Sequence, residues 1–160
     1  YAPRTENYHY EMELVFALKS GGTNITEADA LSHIYGCAAG LDMTRRDLQN
    51  KAKENRKPWD TAKDVDESAV ITPLRQMSEV PSVASGRIHL SQNGTVKQDA
   101  DLSEMVWSVP EIIADLSTMY TLQQGDVIYM GTPAGVGAVS RGDVLTGGVE
   151  GIGDFEVKIA

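Results

Sequence analysis

The chain has 160 residues, a length that suits one domain able to bury about 68–70% of its unfolded surface. Its 14 Lys and Arg against 23 Asp and Glu give a formal net charge of −9, which argues against affinity for nucleic acid or an anionic membrane. An apolar fraction of 41% fits a globular rather than a disordered chain, and no apolar run approaches the roughly 18 residues of a membrane helix. The lone Cys37 rules out a disulfide framework within the chain and favours a reducing compartment, the cytoplasm. No signal-peptide pattern opens the sequence. The opening is short before its first strand, so the expectation is one domain over residues 1–160 with an upstream segment missing from it.

In residues 9–18, Tyr10, Met12, Leu14, Phe16 and Leu18 alternate with His9, Glu11, Glu13, Val15 and Ala17. That period of two predicts a strand with one thoroughly apolar face, closed by a turn at residues 19–22. Thr26-Glu27-Ala28-Asp29 has the capping-box pattern and opens a short helix to about residue 33. Residues 34–41, rich in small side chains, read as a buried strand in which Gly36 and Gly40 allow close backbone approach. Thr44-Arg45-Arg46-Asp47 repeats the capping pattern and predicts a helix to about residue 55, which leaves Asp42 at the strand end just before it.

Pro58-Trp59 ends that helix, and residues 60–73 read as loop and short strand. Asn93-Gly94 between apolar-bearing segments predicts a two-residue hairpin turn. Ser108 to Glu111 is a third capping box, opening a helix that ends near Met119. A strand over residues 127–130 leads into the glycine-rich loop of residues 131–137. Another strand follows Gly142-Asp143, and Phe155, Val157 and Ile159 alternate in a last one. Short strands with three helices between them place the chain in the α+β class, β-rich.

Glu11 and Glu13 leave one strand face about 6.6–6.8 Å apart along the backbone. If that face is covered, the two like charges need a cation, and a hard divalent ion with oxygen ligands is the natural one. The alternative is a solvated outer face, where carboxylates are common. Asp42, at a strand end, either completes a set of three carboxylates for Mg²⁺ or Mn²⁺ or caps the following helix. Arg46 and Gln49 share a helix face. Half of the basic residues fall between Arg45 and Lys63; most read as a solvated face, with Arg46 and Lys63 set apart as partners for a carboxylate substrate. The loop of residues 131–137 has no phosphate-loop lysine. It serves either as a tight connection or, through Thr132 and backbone N–H groups, as a carboxylate contact. With neither paired cysteines nor an HExxH pattern among His9, His33 and His89, zinc is disfavoured. His9 shares the strand face of Glu11 and Glu13, and His33 and His89 read as structural.

In order and spacing, HYEMEL, GLDMTRRDLQ, KPWDTAKDVD, MGTPAGVG and RGDV resemble the fumarylacetoacetate hydrolase family across nearly the whole chain. NYHYEMELV, DMTRRDLQ and the tryptophan of MVWSVPEII look closest to bacterial members that act on fumarylpyruvate. The resemblance implies a rolled, β-rich mixed sheet, a catalytic domain over residues 1–160 and a homodimer. It implies Glu11, Glu13 and Asp42 as ligands of Mg²⁺ or Mn²⁺. It implies Arg46, Gln49, Lys63 and Thr132 as contacts to a small 2-oxo acid, with Lys63 and Arg46 acting in catalysis. The implied reaction is hydrolysis of a C–C bond in an acylpyruvate, fumarylpyruvate giving fumarate and pyruvate in aromatic degradation. Family members also carry an upstream His and Glu that activate water, which is why the general base is expected in the missing segment. Oxaloacetate decarboxylation or 2-oxo-diene isomerisation would use the same site. A non-catalytic metal or oxo-acid binding protein is the alternative of another class.

Overall fold

The computed structural model describes residues 1–160. Its strands are β1 (Tyr8–Tyr10), β2 (Met12–Leu18), β3 (Ile34–Asp42), β4 (Thr44–Arg45), β5 (Ala69–Ile71), β6 (Arg75–Gln76), β7 (Arg87–Gln92), β8 (Thr95–Asp101), β9 (Val127–Tyr129), β10 (Gly137–Ala138), β11 (Val144–Val149) and β12 (Gly153–Lys158). The helices are α1 (Glu27–Ala30), α2 (Arg46–Glu54), α3 (Asp60–Lys63) and α4 (Val109–Met119). The strands form three sheets, ordered β10-β1-β4, β12-β11-β7-β8 and β5-β3-β2-β9, with β6 also on β3. Each pairing is antiparallel. The β-rich α+β class expected from the sequence is the one observed.

The first alternating segment differs from expectation in two ways. It is broken at Glu11, so β1 and β2 belong to different sheets. Both faces of β2 are buried, not one. Met12, Leu14 and Phe16 enter the main core with Leu41, Leu90, Ile113 and Leu145. On the other face Val15 and Ala17 are buried as well, and so is the Glu13 carboxylate. Coverage of the second face explains why the pattern could not show it: a strand covered on both sides has no solvent side to register. Close packing there depends on Gly40, whose place a Cβ would put 2.7 Å from Val15 Cγ2 and 2.8 Å from the Val70 carbonyl.

Of the three capping patterns, the first gives a one-sided cap and the third a full capping box. Thr26 accepts from the Asp29 N–H at the start of α1. At α4, Ser108 Oγ accepts from the Glu111 N–H, and Glu111 Oε2 accepts from the Ser108 N–H at 2.7 Å. Truncating that cap is expected to cost about 1 kcal/mol. Ser108→Ala should therefore lower the thermal midpoint by about 2–4 °C, read in a melting curve.

The second box is a correction. Thr44 lies in β4, α2 starts at Arg46 without a side-chain cap, and the fully buried Thr44 hydroxyl is used elsewhere. Strand pairing of Thr44 with His9 holds the backbone extended where a cap was expected. The stretch read as loop after Trp59 is also different. It begins with the single turn α3, in which the Ala62 and Lys63 N–H groups donate to the Trp59 carbonyl at 2.8 and 3.3 Å. The hairpin stands as expected, joining β7 to β8 with Asn93 and Gly94 at φ 51° and 78°.

Candidate active site and metal centre

The site begins at the break between β1 and β2. The register pairs Met12 with Leu41 and Glu13 with Gly40, and the Asp42 N–H donates to the Glu11 carbonyl at 2.9 Å. Period two then puts Glu11, Glu13 and Asp42 on one face of adjacent strands. Opposite Glu13 stands Gly40, whose missing side chain leaves room for Val15 and the Tyr129 ring. One oxygen from each of the three carboxylates lies within 4.8 Å of the others.

Two cations reach this cluster from the helical side. Arg46 opens α2; its Nη2 pairs with Glu11 Oε1 and its Nη1 donates to Gln49 Oε1 at 2.6 Å. Gln49, one turn along the helix, is buried. Lys63, at the end of α3, sends Nζ to Glu11 Oε2 at 2.6 Å, Asp42 Oδ2 at 2.5 Å and Thr44 Oγ1 at 2.8 Å. Three carboxylates and two cations leave one negative charge uncompensated, and it falls on Glu13. Glu13 is 3% exposed and its one hydrogen-bond donor is the Gly131 N–H, 2.6 Å from Oε2.

The titration behaviour follows from that geometry. Burial pushes the Glu13 carboxyl up to about 7, against the opposing pull of the Gly131 N–H. Burial also raises Asp42, although its bond to Lys63 works the other way. For Lys63, burial alone would lower the ammonium, but the bonds to Asp42 and Glu11 outweigh it and hold it above its ordinary value. His9 is lowered by burial and by Arg46, and so favours neutral imidazole. Its Nε2 pairs with Asn7 Oδ1 at 2.8 Å.

A donor set made of carboxylate oxygens, with no thiol or imidazole among them, suits a hard divalent ion such as Mg²⁺ or Mn²⁺. The buried Glu13 carboxylate without a cationic partner is the feature that such an ion would satisfy, so the residues fit. In metal-free protein the same carboxyl has a signature. The folded state keeps its proton up to about 7, while the unfolded state releases it near the ordinary 4.5. Its contribution to stability is thus complete below 4.5 and is lost as pH rises to about 7. In EDTA, the urea midpoint of the wild type relative to Glu13→Gln should fall across that window; a constant difference would place the proton elsewhere.

Thr132 lies in the loop after β9, next to the Gly131 that holds Glu13, and accepts from Gln98 Nε2 at 2.8 Å. The structure thus gathers Glu11, Glu13, Asp42, Arg46, Gln49 and Lys63 around one point and brings Thr132 to its edge. Of the other basic residues in that stretch, Lys51, Lys53, Arg56 and Lys57 are exposed and behave as a solvated face, while Arg45 is half-buried and donates to the Thr61 carbonyl at 3.1 Å. Sequence reasoning missed Thr44 and Gln98. Thr44 was hidden by its capping pattern, and Gln98 lies in a strand too polar to alternate. A cavity of about 480 Å³ lies beyond Gly131 and Thr132, lined among others by Leu102, Trp107, Asp99, Asp101 and Glu104 and by no Lys or Arg. Most of that lining is hydrophobic, and nothing in it offers a positive charge to a second carboxylate.

All of residues 1–160 match the family described as fumarylacetoacetate (FAA) hydrolase, C-terminal. A fumarylpyruvate hydrolase of Ralstonia sp is 52% identical over 159 residues, covering 99% of this chain and 82% of that protein. The mitochondrial oxaloacetate tautomerase FAHD1 of Rattus norvegicus is 36% identical over 153 residues, covering 96% of this chain and 69% of that one. Among solved structures, fumarylpyruvate hydrolase from Pseudomonas aeruginosa in complex with Mn²⁺ and pyruvate superposes with a TM-score of 0.97 at 42% identity, over 100% of this chain and 69% of the other. With the match running from the first residue to the last, the chain belongs to the fumarylacetoacetate hydrolase family.

Proposed function

We propose that this chain hydrolyses the carbon–carbon bond of an acylpyruvate, with fumarylpyruvate as substrate and fumarate and pyruvate as products, in the degradation of aromatic compounds. The observation that carries the reading is the convergence of Arg46 and Lys63 on a three-carboxylate cluster. Glu11, Glu13 and Asp42 hold Mg²⁺ or Mn²⁺. When bound, the ion polarises the carbonyl of a 2-oxo acid and offsets the negative charge that grows on its oxygen.

The chain's own residues bind the substrate and stabilise its charge. Arg46, already pinned by Glu11 and Gln49, presents a fixed guanidinium to a substrate carboxylate. Gln49 and Thr132 add polar contacts. Water adds to the distal acyl carbon while giving one proton to a general base, the C–C bond breaks, and its electron pair passes to pyruvate C3 and the 2-oxo oxygen. The Lys63 ammonium stands beside that oxygen and stabilises the charge as it develops. A proton delivered to C3 completes pyruvate. The distal carboxylate of fumarylpyruvate lies on the Arg46 side, because the cavity beyond Thr132 is mostly apolar and offers no Lys or Arg. The protein works as a cytoplasmic homodimer; the lone, buried Cys37 and the exposed apolar Val106, Trp107, Met119 and Tyr120 support that reading.

A second reading, tautomerisation of oxaloacetate, is favoured by the relative from Rattus norvegicus. The test is a Mn²⁺-dependent assay over a panel of acylpyruvates with oxaloacetate included. Preferential turnover of fumarylpyruvate supports the first reading. Turnover of oxaloacetate alone supports the second, and binding of pyruvate without turnover of either would reduce the chain to an oxo-acid binder.

A further inference from the structure

One fully buried amide, Gln98, has no role in the chemistry above, yet it joins the two segments that build the site. The last backbone rung between β2 and the chain leaving β9 is the Met130 N–H on the Leu14 carbonyl, at 3.0 Å. Beyond it the chain peels away into the loop of Gly131 and Thr132. The next rung on β2 is made by a side chain instead: the Met12 N–H donates to Gln98 Oε1 at 3.1 Å. Gln98 Nε2 holds the departing loop, donating to the Pro133 carbonyl and to Thr132 Oγ1, each at 2.8 Å. Gly135, at φ +104°, lets that loop lie against β8, since a Cβ there would sit 2.0 Å from the Lys97 carbonyl.

The orientation of the amide is fixed without reference to Thr132. The Met12 N–H can only donate and the Pro133 carbonyl can only accept, so the oxygen of Gln98 must face the first and its NH₂ the second. The other NH₂ proton then points at Thr132 Oγ1. The hydroxyl is obliged to accept from Gln98, which leaves its own proton to be donated outward.

We infer that Gln98 is a positioning residue that sets the polarity of Thr132, turning a hydroxyl able to give or take a hydrogen bond into a donor aimed at an anionic oxygen. The ligand chemistry selected is the carboxylate or enolic oxygen of a 2-oxo acid, and a hydrogen-bond donor at the same place is rejected. Met12 lies between Glu11 and Glu13, so the same amide ties the height of the Thr132 loop to the strand that carries both carboxylates. The inference rests on the reading of Thr132 as a substrate contact, and its test separates the two.

The experiment titrates pyruvate into Mn²⁺-loaded protein by calorimetry at pH 8, with the Mn²⁺ affinity measured separately for each variant. Thr132→Val should weaken pyruvate binding about tenfold to hundredfold, the worth of a hydrogen bond to a charged group. Gln98→Glu keeps the shape but replaces NH₂ by an acceptor, which draws the Thr132 proton inward. It should weaken pyruvate by a similar factor although the hydroxyl is still present, with Mn²⁺ affinity within about twofold of wild type. The double variant should bind no more weakly than either single one. If Thr132→Val binds pyruvate like wild type, the reading of Thr132 as a contact fails. If Thr132→Val is impaired and Gln98→Glu is not, or if Gln98→Glu loses Mn²⁺ to the same extent as pyruvate, the inference about Gln98 alone is overturned. Should the buried glutamate prevent folding, Gln98→Met serves. Weaker pyruvate with unchanged Mn²⁺ supports the inference, and wild-type pyruvate affinity overturns it.

Discussion

Exhaustive chelation with EDTA will abolish hydrolysis, and Mg²⁺ or Mn²⁺ will restore it. The reason lies in the charge balance around Glu11. Arg46 and Lys63 neutralise two of three clustered carboxylates, while Glu13, buried and held by one backbone N–H, has no cation of its own. A divalent ion supplies that charge with the oxygen coordination it prefers. Glu13→Gln removes the anionic ligand and nearly preserves the shape. Loss of an outer partner of a metal ligand typically costs ten- to hundredfold in affinity, and loss of a ligand should cost at least as much. Calorimetric titration with Mn²⁺ measures it directly. Full turnover in chelated protein would remove the metal from the mechanism, and unchanged Mn²⁺ affinity in Glu13→Gln would mean that Glu13 is not one of its ligands.

What the sequence makes legible here is local. Glu11 and Glu13 are two residues apart in an alternating segment, and Asp42 ends a run of small apolar residues, so their convergence follows from period two and one antiparallel pairing. Arg46 and Gln49 follow from helical spacing, and their observed bond has the same basis. The parts that escape are decided by distant neighbours. Thr44 has the residues of a helix cap around it, yet its hydroxyl serves Lys63 and its backbone pairs with β1. The turn that presents Lys63 spans four residues, too few to leave any periodicity. The break at Glu11 is invisible in an uninterrupted alternation, because it arises where β1 turns to a different sheet. Gln98 meets Met12 across 86 residues, and nothing in the polar stretch around it marks it as the one buried side chain of β8.

Lys63→Met should depress kcat by about a hundred- to a thousandfold, about 2.7–4 kcal/mol of barrier, the usual cost of removing one donor from a developing oxyanion. Methionine keeps the length and the apolar stem but offers no charge and no proton. The ammonium that it replaces is held by Glu11, Asp42 and Thr44 at once, a placement that fixes its charge next to the cluster before substrate arrives; all three of its N–H groups are engaged there, so one must leave a carboxylate to serve the oxyanion. The same contacts make a second reading of Lys63 testable. If its work were only to neutralise Glu11 and Asp42, the variant would unfold more easily and turn over normally once Mn²⁺ took up the charge. If it acts on the substrate, saturating Mn²⁺ will not rescue turnover. Mn²⁺ affinity itself should stay the same or tighten, because the competing cation on Glu11 and Asp42 is gone. The decisive measurement is kcat at saturating Mn²⁺ and fumarylpyruvate, set beside the Mn²⁺ dissociation constant of the same variant. Wild-type turnover there would move Lys63 out of catalysis and leave Arg46 as the one cation acting on substrate.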